Sequence, residues 1–416
     1  MLRIRAEEKA LLIWNMEYAR AAYISDEELQ VIEQWTSGKN SGFSDRLKKL
    51  GIVCDSAIPK VKEAIVTAAY KKAPPRSFCA PESLHIELTS RCPFECSQCY
   101  KDCSGVDLSY EILFDAVKQA DEMNVFQIAL GGGEPLVYPY LIPVVAEIRK
   151  RGMASSITTS GFGLSNDLLS ALKRVGLNHV QISLNGSCRE VHSRSRDGYE
   201  YGVDALELLK NAKISFGINW VARMDNIDDL INLIEVAKNC RANNVNVLRY
   251  KPSPKESYEN FCLTFEKLNL LESIIRNTKD INIRVDSAFS NLLCHMNKRT
   301  SFFSGCGAGR RFLALDADGY YRPCSHVDMK EESGDLQKVW YHSTNLAMFR
   351  SVAEKISEPC LSCRYMNGCF GCRSVVLGQG DDFFSGDRTC AYSQSSTSPS
   401  IISSRLSACS ACANMA

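Results

Sequence analysis

Cys92-Pro93-Phe94-Glu95-Cys96-Ser97-Gln98-Cys99 follows closely on Leu84-His85-Ile86-Glu87-Leu88, an alternating apolar segment that reads as a strand. Three thiols spaced four and three residues apart, on the loop leaving a strand, can wrap one face of an iron–sulfur cubane and leave its fourth iron without a protein ligand. Structural zinc sites favour four protein ligands in paired knuckles, and no fourth partner stands at a matching distance here. The stretch therefore points to a reactive iron centre.

Downstream the chain alternates. Candidate strands at Leu84–Leu88, Gln127–Leu130, Ser155–Thr158, His179–Leu184, Phe216–Ala222 and Asn246–Tyr250 are separated by amphipathic stretches of helix length. Six such repeats predict an α/β fold, a parallel sheet open or curled into a partial barrel, with its active site at the carboxyl ends of the strands. Gly131-Gly132-Gly133-Glu134-Pro135 directly follows the second strand. Its glycines permit close backbone approach, and Glu134 supplies a charged acceptor. Thr158 and Leu248 stand at strand ends facing the same site.

The two motifs in this order and position resemble the radical S-adenosylmethionine (radical SAM) superfamily. That resemblance implies a partial (β/α)6 TIM-like barrel and a 4Fe–4S cluster on Cys92, Cys96 and Cys99 whose open iron binds SAM. Gly132, Gly133, Glu134 and Pro135 would then meet the methionine amino group. Ser183 would meet the ribose or carboxylate, and Arg196 the carboxylate. Reductive cleavage of SAM would release a 5′-deoxyadenosyl radical, so no general acid–base pair is demanded, and His192 is read as structural. Two positions depart from the family pattern: Gln98 stands where an aromatic residue is usual, with Tyr100 just beyond the third cysteine, and Asn185 replaces an Asp.

A second cysteine territory runs from Cys306 through Gly319 and Cys324 to Cys360-x2-Cys363-x5-Cys369-x2-Cys372 and Cys390. It resembles the SPASM auxiliary-cluster domain, although only Phe370 and Gly371 separate the last close pair. By that resemblance one auxiliary cluster would use Cys306, Cys324 and Cys372, with Cys294 as a fourth ligand. The other would use Cys360, Cys363, Cys369 and Cys390. Paired Cys-x2-Cys knuckles also suit zinc, and the iron-type loop upstream favours iron. Cys103 reads as a spare thiol near the site. Cys54, Cys79, Cys188, Cys240 and Cys262 read as core or loop residues, and Cys409 and Cys412 fall in the tail.

The totals set the remaining limits. Lys plus Arg number 49 against 48 Asp plus Glu, so no long-range field favours nucleic acid or an anionic membrane. No run approaches the roughly 18 apolar residues of a membrane span, and the first residues lack a signal-peptide core. A cytoplasmic chain is expected, in which nineteen cysteines imply metal rather than disulfides.

Residues 10–24 read as a small hairpin about Asn15-Met16. A capping box at Ser25–Glu28 starts a helix with Leu29, Ile32 and Trp35 on one face, a second helix spans Phe43–Leu50, and a short strand follows at Ile52-Val53. This unit resembles the winged-helix-like precursor-recognition domains of peptide maturases, which bind a leader peptide as an added strand. The expected division is 1–75 for this domain and its linker, 76–288 for the barrel, 289–392 for an auxiliary domain folded around its metals, and 393–416 for a Ser-rich tail. The resulting expectation is a maturase of ribosomally made peptides that installs a cross-link, foremost a thioether, with a leader-bearing precursor and a flavodoxin or ferredoxin as partners. Carbon–carbon cross-linking, formylglycine formation in sulfatases and a non-enzymatic iron–sulfur binding protein are the competing readings.

Overall fold

The computed structural model describes residues 2–7, 10–15, 20–25, 37–39, 42–49, 72–101, 103–297 and 305–394. Its centre is a nine-stranded sheet built on the segments marked by the sequence: β4 (Ser83–Thr89), β5 (Gln127–Gly132), β6 (Ala154–Thr159), β7 (His179–Ser183), β8 (Phe216–Ala222) and β9 (Asn244–Arg249). These six are parallel and adjacent in chain order. The sheet continues on both sides. β10 (Asn282–Val285) joins β9 in parallel, β11 (Phe312–Leu315) joins β4 in parallel, and β12 (Tyr321–Arg322) closes that edge antiparallel.

The crossovers are helices because their apolar residues recur at helical spacing and their starts are capped. Ser109, Ser165 and Thr264 each accept the main-chain N–H three residues on, opening the helices Tyr110–Glu122, Asn166–Arg174 and Phe265–Asn277. Leu113, Ala116, Val117 and Ala120 of the first pack against Leu84, Ile86, Ile128 and Ile157 of the sheet. Leu206, Leu209, Leu230 and Leu233 cover Ile182, Ile218 and Val245 further along. Burial of each of these Leu, Ile and Val side chains stabilises the fold by roughly 1.5–3 kcal/mol, which makes the sheet a rigid platform for the loops at its carboxyl ends.

The strand β1 (Leu2–Glu7) was not foreseen. It pairs antiparallel with β2 (Ala10–Asn15), which pairs with β3 (Arg20–Ser25). The hairpin is present, while its turn lies outside the described residues, as do the helix with Leu29, Ile32 and Trp35, the strand at Ile52-Val53, Cys54 and residues 395–416. The second helix is described as Gly42–Lys49.

The small sheet docks at the amino ends of the barrel strands. Arg5 donates to the carbonyls of Ala80 and Pro81 (both 2.8 Å) and Asn124 (3.1 Å), and to Glu7 (2.7 Å), whose other oxygen accepts the Cys79 N–H. Trp14 stacks on Phe126, and the Tyr23 hydroxyl bonds Glu82, which also pairs with Arg311.

The region after residue 288 is not folded around thiols alone. Ala308, Val327, Phe349, Val352, Ile356 and Phe383 form an apolar core of its own, and β11 ties it into the main sheet. The sequence disguised this because the apolar residues are spread over short loops and helices without one dominant period.

Candidate active site

Glycines decide how the cysteine loop sits. Gly132 (φ +129°) and Gly133 press against the loop that leaves β4: a Cβ at Gly132 would lie 2.3 Å from the Thr89 carbonyl oxygen, and one at Gly133 would lie 2.2 Å from that of Arg91. Any side chain would push the cysteine loop off the end of β5. Gly131 has open space beside it instead, and it lines the main cavity.

Glu134 is 1% exposed. Its Oε1 accepts from Thr159 Oγ1 (2.6 Å) and the Leu136 N–H (3.1 Å), and its Oε2 from the Ser160 N–H (2.9 Å) and Ser160 Oγ (2.5 Å). Four donors fill the acceptor capacity of a carboxylate. In the fold the Glu134 side chain clamps the glycine loop to the end of β6 and also lines the main cavity. Pro135 is buried at the start of the following turn of 3-10 helix, with Glu134 as its cap.

The cysteine loop is held from its other side by β7 and the segment after that strand. Asn185, fully buried, donates to Gln98 Oε1 (2.8 Å) and Ser195 Oγ (2.7 Å) and accepts the Val221 N–H (3.1 Å). The Asp197 N–H points at Cys96 Sγ (3.4 Å), Asp197 Oδ2 accepts the Glu95 N–H, and Ser253 Oγ lies 2.9 Å from the carbonyls of both Ser97 and Cys99. His192 is buried, its Nδ1 facing the Asn185 N–H and its Nε2 the Asp197 carbonyl. Burial holds it down to about 4, so it is neutral and acts as a brace.

These elements enclose a cavity of about 400 Å³ at the carboxyl ends of the strands. Cys92, Cys96, Cys99, Gly132, Gly133, Glu134, Tyr100, Thr158, Ser183, Arg196 and Leu248 all line it, so the sequence-predicted cofactor residues other than Pro135 converge on one space. Cys103, read from the sequence as a spare thiol near the site, lines it as well, and so do Lys101 and Glu87, an ion pair that was not singled out. The Arg196 Nε is buried without a hydrogen-bond partner, a donor aimed at an acceptor that the chain does not provide. Burial first, then Cys96, Cys103 and Glu134, push the Cys92 thiol up to about 11. Replacing such a proton by a metal relieves that cost.

A second cavity, of about 230 Å³, adjoins the first and is lined by Cys306, Cys324 and Cys372; His85, Leu248, Lys251, Ser325 and His326 belong to both walls. Burial and the two neighbouring thiols push Cys306 up to about 12. Burial acts against the Lys251 ammonium, but Asp286 and the three thiols outweigh it and hold the group raised. A further pocket gathers Cys360, Cys363, Cys369 and Cys390. No disulfide links the described cysteines.

Cys294 sits with this last group. A Cβ on Gly368 would lie 2.6 Å from its sulfur, and its helix, Ser290–His295, is tied to Cys390 through Asn291 and to Tyr365 through His295. The expected place of Cys294 beside Cys306, Cys324 and Cys372 is thereby corrected. Spacing along the chain carried no information on which way that helix would face.

Residues 86–237 match the model of the radical SAM superfamily. The chain carries a radical SAM domain. Enzymes of the radical SAM superfamily use a 4Fe–4S cluster and SAM, and the orphaned Arg196 donor, the open space at Gly131 and the three-thiol loop all fit those groups. The whole fold is similar to that of SuiB from Streptococcus suis, solved with S-adenosylmethionine, at TM-score 0.70 and 16% identity over 94% of this chain and 98% of that one. SuiB bound to the precursor peptide SuiA matches with the same TM-score, identity and coverage. The anSMEcpe structure with bound AdoMet matches at TM-score 0.61 and 18% identity over 76% of this chain and 95% of that one. No helix among the described residues is long and apolar enough to cross a membrane.

Proposed function

We propose that this radical SAM enzyme modifies a ribosomally made precursor peptide, installing a cross-link of thioether type. One observation carries the reading: the cavity lined by Cys92, Cys96 and Cys99 shares a wall with the three-thiol cavity of Cys306, Cys324 and Cys372. An auxiliary iron–sulfur cluster held by the latter would stand within reach of a substrate placed against SAM, to accept an electron or bind a substrate thiolate. Cys360, Cys363, Cys369 and Cys390, with Cys294 beside them, would hold a second. Similarity to SuiB, which was crystallised with a precursor peptide, supports a peptide substrate.

Cys92, Cys96 and Cys99 would hold the catalytic cluster, and Arg196, Ser183 and the glycine-loop backbone would orient SAM. Held by these residues, the cluster and SAM would supply hydrogen-abstracting radical chemistry. The chain's own part is to orient the partners and exclude water from a species that attacks most C–H bonds. Gly131–Pro135 and Gln98–Asn185 fix the two sides of that pocket, and Lys101 with Glu87 offers charge to a substrate. The β3 edge, which among the described residues pairs with β2 alone, is the proposed seat of the leader. A flavodoxin or ferredoxin is the proposed electron donor.

The test is anaerobic reaction of the reconstituted enzyme with SAM, reductant and the precursor peptide encoded beside it, read by mass spectrometry. A product two hydrogens lighter, with one Cys no longer alkylatable, is expected, together with deoxyadenosine. The Cys92→Ala, Cys96→Ala, Cys99→Ala variant should form neither while keeping the iron of its C-terminal region. An unmodified peptide beside normal deoxyadenosine production would refute the substrate assignment.

A further inference from the structure

His326 stands in the partition between the two cavities and is used by no step above. Its Nδ1 is 3.9 Å from Cys324 Sγ, and its main-chain N–H points at the same sulfur. The ring stacks on Tyr100, the residue after Cys99, with centroids 3.7 Å apart and planes inclined by 29°. Ser374 Oγ, two residues beyond Cys372, donates to the His326 carbonyl at 3.1 Å. Sulfur, aromatic face and backbone therefore fix the imidazole from three directions, with its Nδ1 placed against the Cys324 sulfur.

We infer that His326 is a positioning residue for the auxiliary site, donating a ring N–H hydrogen bond to the Cys324 sulfur and thereby raising the reduction potential of the cluster held there. Hydrogen bonds to cluster sulfurs stabilise the more negative, reduced state, and such outer partners tune a metal centre without ligating it. Because the same ring stacks on Tyr100 and lines the main cavity, a change in the orientation of His326 is felt there as well. The inference rests on the proposal that Cys306, Cys324 and Cys372 hold an iron–sulfur cluster.

The test uses the full chain reconstituted anaerobically in the Cys92→Ala, Cys96→Ala, Cys99→Ala background, which silences the radical cluster. The signal of interest is the one that Cys306→Ala removes, followed by redox titration with electron paramagnetic resonance. His326→Phe keeps an aromatic ring against Tyr100 and removes the donor. His326→Asn places an amide nitrogen the same number of bonds from Cβ as Nδ1. The expected result is unchanged iron and sulfide in both, a lower potential for His326→Phe, and a potential near the parent's for His326→Asn. Equal potentials in all three proteins would overturn the inference. Loss of auxiliary iron from both variants would also overturn it, since His326 would then be an iron ligand. If Cys306→Ala removes neither iron nor signal, the auxiliary-cluster reading itself fails and the inference with it.

Discussion

Asn185 Nδ2 donates to Gln98 Oε1 across 2.8 Å, joining the two positions at which the chain departs from the usual radical SAM pattern. Two amides stand at these positions and are bonded to one another. A carboxylate at 185 could not donate to a carbonyl oxygen, whereas the Asn amide donates to Gln98 and still accepts from Val221. The pair ties the cysteine loop to the end of β7. Single Gln98→Ala and Asn185→Ala variants and the double variant should therefore be non-additive, with a coupling of about 0.5–3 kcal/mol in denaturant unfolding. Asn185→Ala, which leaves the Val221 N–H without its acceptor, should be the more damaging single change. Additive effects would show that the two side chains act separately.

Glu134→Gln should lower stability and SAM affinity together. The amide would turn one donor group toward Thr159 or Ser160, where a carboxylate now accepts four hydrogen bonds, and charge-assisted bonds of this kind are worth about 1.5–3 kcal/mol each. Thermal unfolding and calorimetric SAM titration of the same protein check this. A variant with weakened SAM binding and an unchanged Tm would show that the side chain acts on SAM directly and not through the loop.

Arg196→Met should show the opposite division. The Arg196 Nε satisfies nothing in the protein, so its removal should leave Tm unchanged. Loss of a charge-assisted bond to the SAM carboxylate should weaken binding about ten- to a hundred-fold. Parental affinity for SAM would remove Arg196 from the cofactor site.

The place of the small sheet limits the precursor. β1–β3 are docked to Cys79–Glu82, Asn124 and Phe126, which precede β4 and β5, whereas the cysteines follow β4. β4 has seven residues, which span about 20 Å at roughly 3.3 Å per residue. A peptide whose leader lies along β3 needs at least about six extended residues to bring its reacting side chain to the other end. Precursors shortened below that spacing should bind with unchanged affinity in fluorescence anisotropy and show no modification by mass spectrometry. Full modification of such a short precursor would place leader recognition elsewhere. Deleting residues 1–70 is a poorer test, because Arg5 and Glu7 satisfy buried backbone groups of the barrel.

The chemistry of the first site was legible because cluster ligation is local: three thiols in eight residues, and a glycine loop at the end of the next strand, need no tertiary partner to be recognised. The six parallel strands were equally readable, since short segments with alternating apolar residues recur between amphipathic stretches of helix length. Side-chain saturation was not readable. Glu134 looks like a ligand group in the sequence, and only the fold brings Thr159 and Ser160, one strand away, to fill its oxygens. The same holds for Cys294, whose companions were decided by how a six-residue helix packs on Tyr365 and Cys390, and for β1, whose Arg3 and Arg5 look solvated until the barrel's carbonyls are placed around them. Motifs are written in consecutive residues, whereas the partners that assign a buried polar group its role come from distant ones.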